Sequence, residues 1–388
     1  NNNAINAFVA GGQRIFVFTG MILEARTPNE LSGVLAHEAA HIAAGHLVRR
    51  GIAVENMTVA AVLTMLAAAG AVAAAGATGN GDLAEGGVGV MMGGQSMLRR
   101  GLLAYVRGQE AAADQAAAHY LARSGRSGKG MLDLFRRMHQ RHRLSLRGVD
   151  PYLLTHPLPR RRLANLERIV RQSPHYAKAD PPALSLRHRL AQAKIIGYTM
   201  GRRGAGRRFA RQRDSLPARY ARAIALFRRG NLRASLPLID GLIRAKPRYA
   251  YFHELKGQAL LENGRAGAAV APLRQAVRLS GGNALIRMAL AEALLAGGNR
   301  AQAAAALKEL RRAAAREREN PRLHYLLARA HAARGDLLRA ELETAEAALL
   351  RGDKRLAARK AAGVLRRAKK GSPPALRAHD ILRAARRK

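Results

Sequence analysis

Two kinds of apolar pattern open this chain of 388 residues. Two short apolar runs within residues 5–23 flank Gly11-Gly12, and this arrangement predicts a β-hairpin. Apolar side chains then recur at helical spacing, which predicts a helix over residues 28–50 that begins near Pro28. The first part of the chain is therefore predicted to combine a little β structure with helix.

An uncharged stretch, residues 57–79, is long enough to reach across a bilayer. We interpret it as a buried helix or as one in peripheral contact with a membrane surface. A chain that crossed a membrane here would have to cross back through residues 86–98, which are short and rich in glycine. A membrane-spanning protein is the alternative. The glycine-rich residues 79–94 predict a mobile loop.

Helical patterns continue through the middle of the chain. Residues 101–145 predict further helices, and another helix is expected from about 160 to 172. Residues 173–215 predict a connector that holds one helix and a basic, glycine-containing run over 201–213.

A repeat begins near residue 216. Glycines recur 34 residues apart between amphipathic stretches, and a small residue follows each glycine by five positions: Gly230 with Ser235, Gly264 with Ala269, and Gly298 with Ala303. Gly335 and Ala340 continue the series. A turn at glycine and small residues between paired helices are what a helix–turn–helix solenoid needs, and the pattern resembles the tetratricopeptide repeat. A generic helical bundle is the alternative, and residues 341–388 are predicted to cap the array.

Composition narrows the chemistry. The chain has no Cys, so a metal would have to be held by His and carboxylates. The formal net charge is +41, from 67 Lys and Arg against 26 Asp and Glu. Residues 1–150 hold 15 Lys and Arg and 10 Asp and Glu. The remainder of the chain holds 52 Lys and Arg against 16 Asp and Glu. Basic surfaces attract polyanions, but arginines scattered through a repeat favour a solvated helical surface, and we do not expect nucleic acid as a partner.

The stretch "HEAAH" carries candidate metal chemistry. His37 and His41 are four residues apart, so on a helix both imidazoles face one point and can bind zinc. Glu38 is placed to reach a water at that zinc, take its proton and pass it to a leaving amine. An ordinary helix with surface histidines is the alternative for this segment.

A third ligand has to come from elsewhere in the chain. Glu110 can complete a His2Glu set, and Asp114, one helical turn later, can orient a ligand imidazole. The alternative is that both are surface acids of an amphipathic helix. A metal shared by His37 and Glu110 also argues against a single membrane crossing between them.

Together these motifs resemble the membrane-associated zincin family that includes the CAAX prenyl endopeptidases and a bacterial beta-barrel assembly-enhancing protease. The family's H-E-x-x-H and E-x-x-A-D motifs fall on "HEAAH" and "EAAAD", which adds to the reading of Glu110 and Asp114. "LLTHPLPRRRLANL" resembles a later segment of the family. The resemblance implies that His156 can act as a further zinc ligand that holds the enzyme off, and that Arg162 lies near the site.

The predicted fold is mainly α: a zincin-like α+β metalloprotease domain, with a small sheet plus helices, followed by an α-solenoid of tetratricopeptide-like repeats. The predicted divisions are a peptidase domain over 1–172, a connector over 173–215 and the repeats over 216–388. One Zn2+ per chain is expected. A substrate is predicted to add as a strand beside an edge formed by Gly12, Arg14, Ile15 and Val17.

The resemblance implies a zinc-dependent endopeptidase that cleaves misfolded or stalled outer-membrane proteins in the bacterial periplasm. The repeats would recruit unfolded or beta-barrel clients or the envelope assembly machinery. No signal peptide is visible, and we expect one to have been removed; a membrane-associated location is the alternative. The alternative function is a latent protease that acts mainly as a chaperone or scaffold for envelope protein assembly.

Overall fold

The computed structural model describes residues 3–11, 13–46, 48–49, 51–52, 55, 65, 81–144 and 151–386, with the backbone alone for 81–99, 102, 142–144 and 151. The chain forms two compact units, residues 1–192 and 193–388. The predicted helix over 57–79 lies outside the described residues, apart from residue 65. The division at 172 and 215 stays a prediction.

The first unit begins with the predicted hairpin. Strand β1 (Ala7–Ala10) pairs antiparallel with β2 (Arg14–Val17). Phe8 lies opposite Phe16, and their rings stack with centroids 5.4 Å apart. Gly11 has a φ of 58°, so it supplies the left-handed backbone that the tight connection needs.

Helices α1 (Thr19–Glu24) and α2 (Pro28–Ala43) follow. Helix α2 is capped by the Thr27 side chain, which accepts from the Glu30 N–H at 3.2 Å. It ends earlier than the prediction of residue 50, because Gly45 takes a φ of 63° that ordinary side chains avoid.

Helix α3 (Gly81–Arg123) has 43 residues, so the predicted mobile loop over 79–94 is wrong from residue 81 onward. Each interior glycine weakens a helix by about 1 kcal/mol. Helix still continues through these glycines, because extending an existing helix costs far less free energy than nucleating a new one. Helix α4 (Lys129–Leu144) also packs on α2. Gly33 lies so close to Met131 that an added Cβ would come within 2.4 Å of the Met131 Cβ.

Three more helices complete the first unit: α5 (Pro151–Thr155), α6 (Arg160–Arg171) and the first part of α7 (Pro182–Thr199). In α7 the Gln192 amide donates to the Ala25 carbonyl oxygen at 2.7 Å. The core of this unit consists of aliphatic, Met and aromatic side chains from the hairpin and from α1 to α6, including Met21, Val34, Leu121, Met131, Leu132, Phe135, Met138, Tyr152 and Leu166.

The second unit continues with helices that pack in sequence order. They are α8 (Gly201–Arg208), α9 (Leu216–Phe227), α10 (Leu232–Ala245), α11 (Ala250–Glu262), α12 (Ala266–Leu279), α13 (Ala284–Leu295), α14 (Arg300–Glu317), α15 (Pro321–Ala332), α16 (Leu337–Leu350), α17 (Lys354–Arg367) and α18 (Pro373–Arg386). The basic run over 201–213, predicted as part of the connector, contains helix α8. Most of residues 341–386 lies in helices α16, α17 and α18, and a role as the cap of the array stays a prediction.

The turns between paired helices confirm the repeat pattern. The four repeat glycines have φ values between 75° and 84°, in the left-handed region: Gly230, Gly264, Gly298 and Gly335. The small residues five positions later are all buried: Ser235, Ala269, Ala303 and Ala340. The Ser235 hydroxyl donates to the Ala223 carbonyl oxygen of the preceding helix at 2.9 Å, so these positions let the paired helices approach closely.

Among the described residues, no helix combines the length and the apolar character needed to cross a bilayer.

Candidate metal centre

Helix α2 directs three polar side chains into the first unit: His37, Glu38 and His41. His37 and Glu38 are 0% and 1% exposed. Because residues four apart lie on one helix face, the Nε2 atoms of His37 and His41 come within 3.0 Å of each other. The Glu38 Oε1 atom is buried and has no hydrogen-bond partner in the described part of the chain.

Helix α3 packs on α2 and brings Glu110 to the same point. Its Oε2 atom is 3.3 Å from the His37 Nε2 atom, and its Oε1 atom is 3.4 Å from the His41 Nε2 atom. Glu110 is 3% exposed. The structure therefore brings together the three ligands predicted from the sequence.

His156, directly after α5, joins these three side chains. Its Nδ1 atom is 3.0 Å from the Glu110 Oε2 atom and 3.3 Å from the His37 Nε2 atom. Its Nε2 atom faces the Glu38 Oε1 atom at 3.6 Å. The residue predicted as a fourth ligand thus lies beside Glu38 as well as beside the other donors.

The spacing of the donor atoms fits a small tetrahedral cation. Zinc ligands about 2.0–2.1 Å from the ion at the corners of a tetrahedron are about 3.3–3.4 Å apart. One donor atom from each of His37, His41, Glu110 and His156 lies within 4.8 Å of the others. Three nitrogens and one carboxylate oxygen, with no thiolate, are a donor set that zinc accepts.

A buried ion pair supports this cluster from behind. The Arg162 Nε and Nη2 atoms donate to the two Asp114 carboxylate oxygens at 2.5 and 2.8 Å, and Nη1 is 2.8 Å from Glu110 Oε2. The same Nη1 atom donates to the Pro157 carbonyl oxygen at 2.8 Å. Arg162 therefore holds the carboxylates of α3 and the segment after His156 in one arrangement.

Asp114 also contacts the outer nitrogen of His37. Its Oδ1 atom is 3.0 Å from His37 Nδ1, although the ring N–H does not point straight at the oxygen. A carboxylate on Nδ1 favours a proton there and leaves Nε2 free to bind a cation. Burial would raise the pKa of Asp114, but Arg162 and His37 outweigh burial and lower it below the usual range.

The two histidines of α2 differ in electrostatic environment. Burial opposes a charge on His37, but Asp114 and Glu110 outweigh burial and raise its pKa to about 9. Burial and the neighbouring His37 lower the pKa of His41 to about 3. Ligand imidazoles must be neutral, so cation binding would release a proton from His37.

Burial brings the pKa of Glu38 close to neutral pH. Loss of solvent raises its pKa to about 7; His37 opposes the rise and Glu110 adds to it. A proton-transfer group works best when its pKa lies near the working pH. Glu38 can therefore exchange a proton with a group placed in the site.

Three aromatic side chains complete the site: Tyr152, Phe135 and His46. The sequence had suggested no role for Tyr152 or Phe135. Tyr152 stacks on His156 with centroids 4.7 Å apart, and Phe135 meets His37 edge-on at 5.9 Å. The spacing of Tyr152 and His156, four residues apart, is the signal that could have identified the first. His46 contacts the His41 Nδ1 atom through its own Nδ1 at 2.9 Å.

The predicted substrate edge is described in part. In β2, Arg14 is exposed, while Ile15 and Val17 are half-buried. Within the described residues, β2 pairs with β1 alone. Gly12 lies outside the described residues, and a role for this edge stays a prediction.

Comparison with known proteins agrees with the two units. Residues 1–170 match Peptidase family M48, and residues 220–284 and 288–358 match a tetratricopeptide repeat. The chain carries an M48 peptidase domain followed by tetratricopeptide repeats. A second tetratricopeptide repeat description matches residues 260–315. The M48 domain contains every donor of the cluster described above.

Proteins similar to this chain include the "Beta-barrel assembly-enhancing protease" of Yersinia pestis. It is 28% identical over 342 residues, which cover 86% of this chain and 67% of the relative. The protein of the same name from Escherichia coli K12 is 27% identical over 312 residues, or 78% of this chain and 61% of the relative. The chain thus spans about two thirds or less of the length of these relatives.

Proposed function

We propose that this chain is a zinc-dependent endopeptidase. The observation that carries the proposal is the meeting of His37, His41 and Glu110 beside Glu38, a buried carboxylate whose Oε1 atom lacks a hydrogen-bond partner in the described part of the chain. A structural role alone would leave this buried polar group uncompensated, which is costly.

In this proposal His37, His41 and Glu110 hold one zinc ion per chain. When bound, the metal would polarise the scissile carbonyl and acidify a water molecule. Glu38 takes a proton from the attacking water and gives it to the leaving amine, since its pKa of about 7 suits both transfers. Asp114 and Arg162 keep the His37 ring and the Glu110 carboxylate in place.

The substrate proposal rests on β2 and on the relatives. We propose that an extended peptide adds as a strand beside Gly12, Arg14, Ile15 and Val17, where main-chain hydrogen bonds accept many sequences. The names of the relatives refer to beta-barrel assembly. From this we propose misfolded or stalled outer-membrane proteins as clients and the bacterial periplasm as location. The repeats would recruit clients or the envelope assembly machinery.

Removal of the metal tests this function. Purified full-length protein is expected to contain one zinc per chain by elemental analysis. Casein cleavage should be lost after dialysis against a chelator and return when zinc is added. Protein that cleaves casein equally well with and without its metal would contradict the proposal.

The position of His156 favours a second function, a latent protease that acts mainly as a chaperone or scaffold. Its Nδ1 atom lies at hydrogen-bond distance from Glu110, and its ring lies beside Glu38. With His156 as a fourth ligand, the position that a substrate needs is filled. Catalysis would then require His156 to move away.

The His156→Ala variant distinguishes the two functions. We expect about a tenfold or larger rise in casein cleavage at unchanged zinc content, because more molecules have an open site. His119→Ala, at an exposed position on α3, is the matched control and should leave cleavage unchanged. Zinc-loaded His156→Ala protein without detectable cleavage would favour the scaffold function.

A further inference from the structure

A cavity of about 590 Å³ lies in the second unit beside helices α8 and α9, and no residue of the metal centre is among its lining residues. Five of its lining residues are arginines: Arg202, Arg203, Arg207, Arg213 and Arg222. The volume is within the range of small-ligand sites. This arginine cavity coincides with the basic run over 201–213, for which the proposed peptidase function has no use.

A break between two helices precedes the lining residues. Gly201, with a φ of 61°, interrupts the helical backbone between α7 and α8. Helix α8 packs against α9, and its residues Gly204 and Ala205 are buried. Arg203 and Arg207, four residues apart, lie on the same side of α8. Their convergence is therefore a product of folding and not only of a basic composition.

Within the described part of the chain, none of the five arginines pairs with a carboxylate. Acids of helices α10 and α11 pair with lysines instead, as in Lys256–Asp240 at 2.7 Å and Lys194–Glu254 at 2.7 Å. Like charges around a concave surface repel one another and concentrate positive potential there. An anion in the cavity would remove that repulsion, and guanidinium groups bind phosphate oxygens in pairs.

The rest of the lining is apolar. Ala205, Phe209, Ala210 and Ala218 contribute apolar surface, and Met200 at the start of α8 is 43% exposed. A small inorganic anion would use the arginines and leave this surface in water. A phosphate attached to an apolar body uses both, as at the interface of a membrane.

We infer that the arginine cavity binds a phosphate group and that this phosphate belongs to the headgroup of an anionic lipid. The excess of basic residues after residue 150, 52 against 16 acids, attracts this part of the chain to a negatively charged surface. The cavity adds a short-range site at which the arginines contact the phosphate and Phe209 and Met200 contact the apolar boundary.

The test compares two double variants of the full-length chain in flotation with phosphatidylcholine vesicles, with and without phosphatidylglycerol. Arg203→Gln with Arg207→Gln removes two charges from the cavity. Arg355→Gln with Arg359→Gln removes two charges from an exposed pair with the same spacing on α17 and is the matched control. Both variants have the same net charge, and circular dichroism checks that both remain helical.

Binding should require phosphatidylglycerol, and the cavity variant should partition about 30-fold more weakly than the parent. The control should stay within about twofold, because charges beyond the Debye length are screened. Equal losses in both variants, or no binding to phosphatidylglycerol vesicles, would overturn the inference.

Two further measurements separate the sources of phosphate and of affinity. The first is the binding of glycerol phosphate. If the parent binds it, the variant without Arg203 and Arg207 does not, and neither binds vesicles, the cavity is a site for a soluble phosphate compound and the lipid proposal is wrong. Arg203→Lys with Arg207→Lys should bind vesicles more weakly than the parent and more tightly than the glutamine pair, because the charge remains while the paired hydrogen bonds are lost. Tighter binding of a single-stranded oligonucleotide than of vesicles would also count against a lipid.

Discussion

Replacing Glu38 by Gln is expected to lower casein cleavage by about a hundredfold to ten-thousandfold, the range that a positioned proton-transfer group contributes. The side chain is 1% exposed and its Oε1 atom has no hydrogen-bond partner in the described part of the chain, so an amide of the same shape fits. Glu38 is outside the four-donor cluster, and zinc content should therefore not change. Initial rates on casein and elemental analysis of the same sample measure both quantities.

Glu167→Gln is the matched control for that experiment. Glu167 lies on α6 and pairs with Arg171 at 2.8 Å and with Arg136 at the surface of the same unit. Solvent screens these pairs, so the substitution should have little effect on stability and leave cleavage unchanged. A Glu38→Gln protein that retains its zinc and cleaves casein at the parental rate would rule out the proposed base.

Replacing Arg162 by Met is expected to destabilise the first unit by about 3–5 kcal/mol in metal-free protein. Methionine keeps much of the side-chain volume but removes the guanidinium that pairs with the Asp114 and Glu110 carboxylates, whose side chains are each 4% exposed. It also leaves the Pro157 carbonyl oxygen without its donor. Because the chain has two compact units, hydrogen exchange of the α3 amides in urea is a better measurement than global unfolding.

Arg171→Met provides the comparison for Arg162. It makes the same chemical change on the same helix, at a side chain that is 60% exposed and pairs with Glu167 four residues earlier. An exposed pair of this kind contributes little to stability, because solvent screens the charges. Equal protection of the α3 amides in the two variants would show that the buried ion pair does not hold the site together.

Short-range patterns predicted the elements that position the site. The apolar runs around Gly11 predicted the hairpin, and the spacing of His37 and His41 predicted their common helix face. The 34-residue spacing of glycines predicted the repeat because each turn needs a left-handed residue. These features depend on local backbone chemistry, which a sequence displays directly.

Features that depend on packing were not predictable in the same way. Glu110 follows His41 by 69 residues, so residue type suggested the pairing and only the packing of α3 on α2 gives the distances. The glycines of residues 81–94 suggested a loop, while helix extends through them from the packed half of α3. Nothing local marks Phe135 as the ring against His37, because an aromatic in an apolar pattern has many possible neighbours.

The turn glycines have a consequence for how such a chain can change length. Gly230 and Gly264 have the same φ of 75°, and Gly298 has 76°. Joining the residue before one glycine to the next glycine removes 34 residues and restores an equivalent turn between two complementary helices. Recombination can therefore add or remove gene segments of this size. The array becomes longer or shorter, while the turn at each junction stays the same.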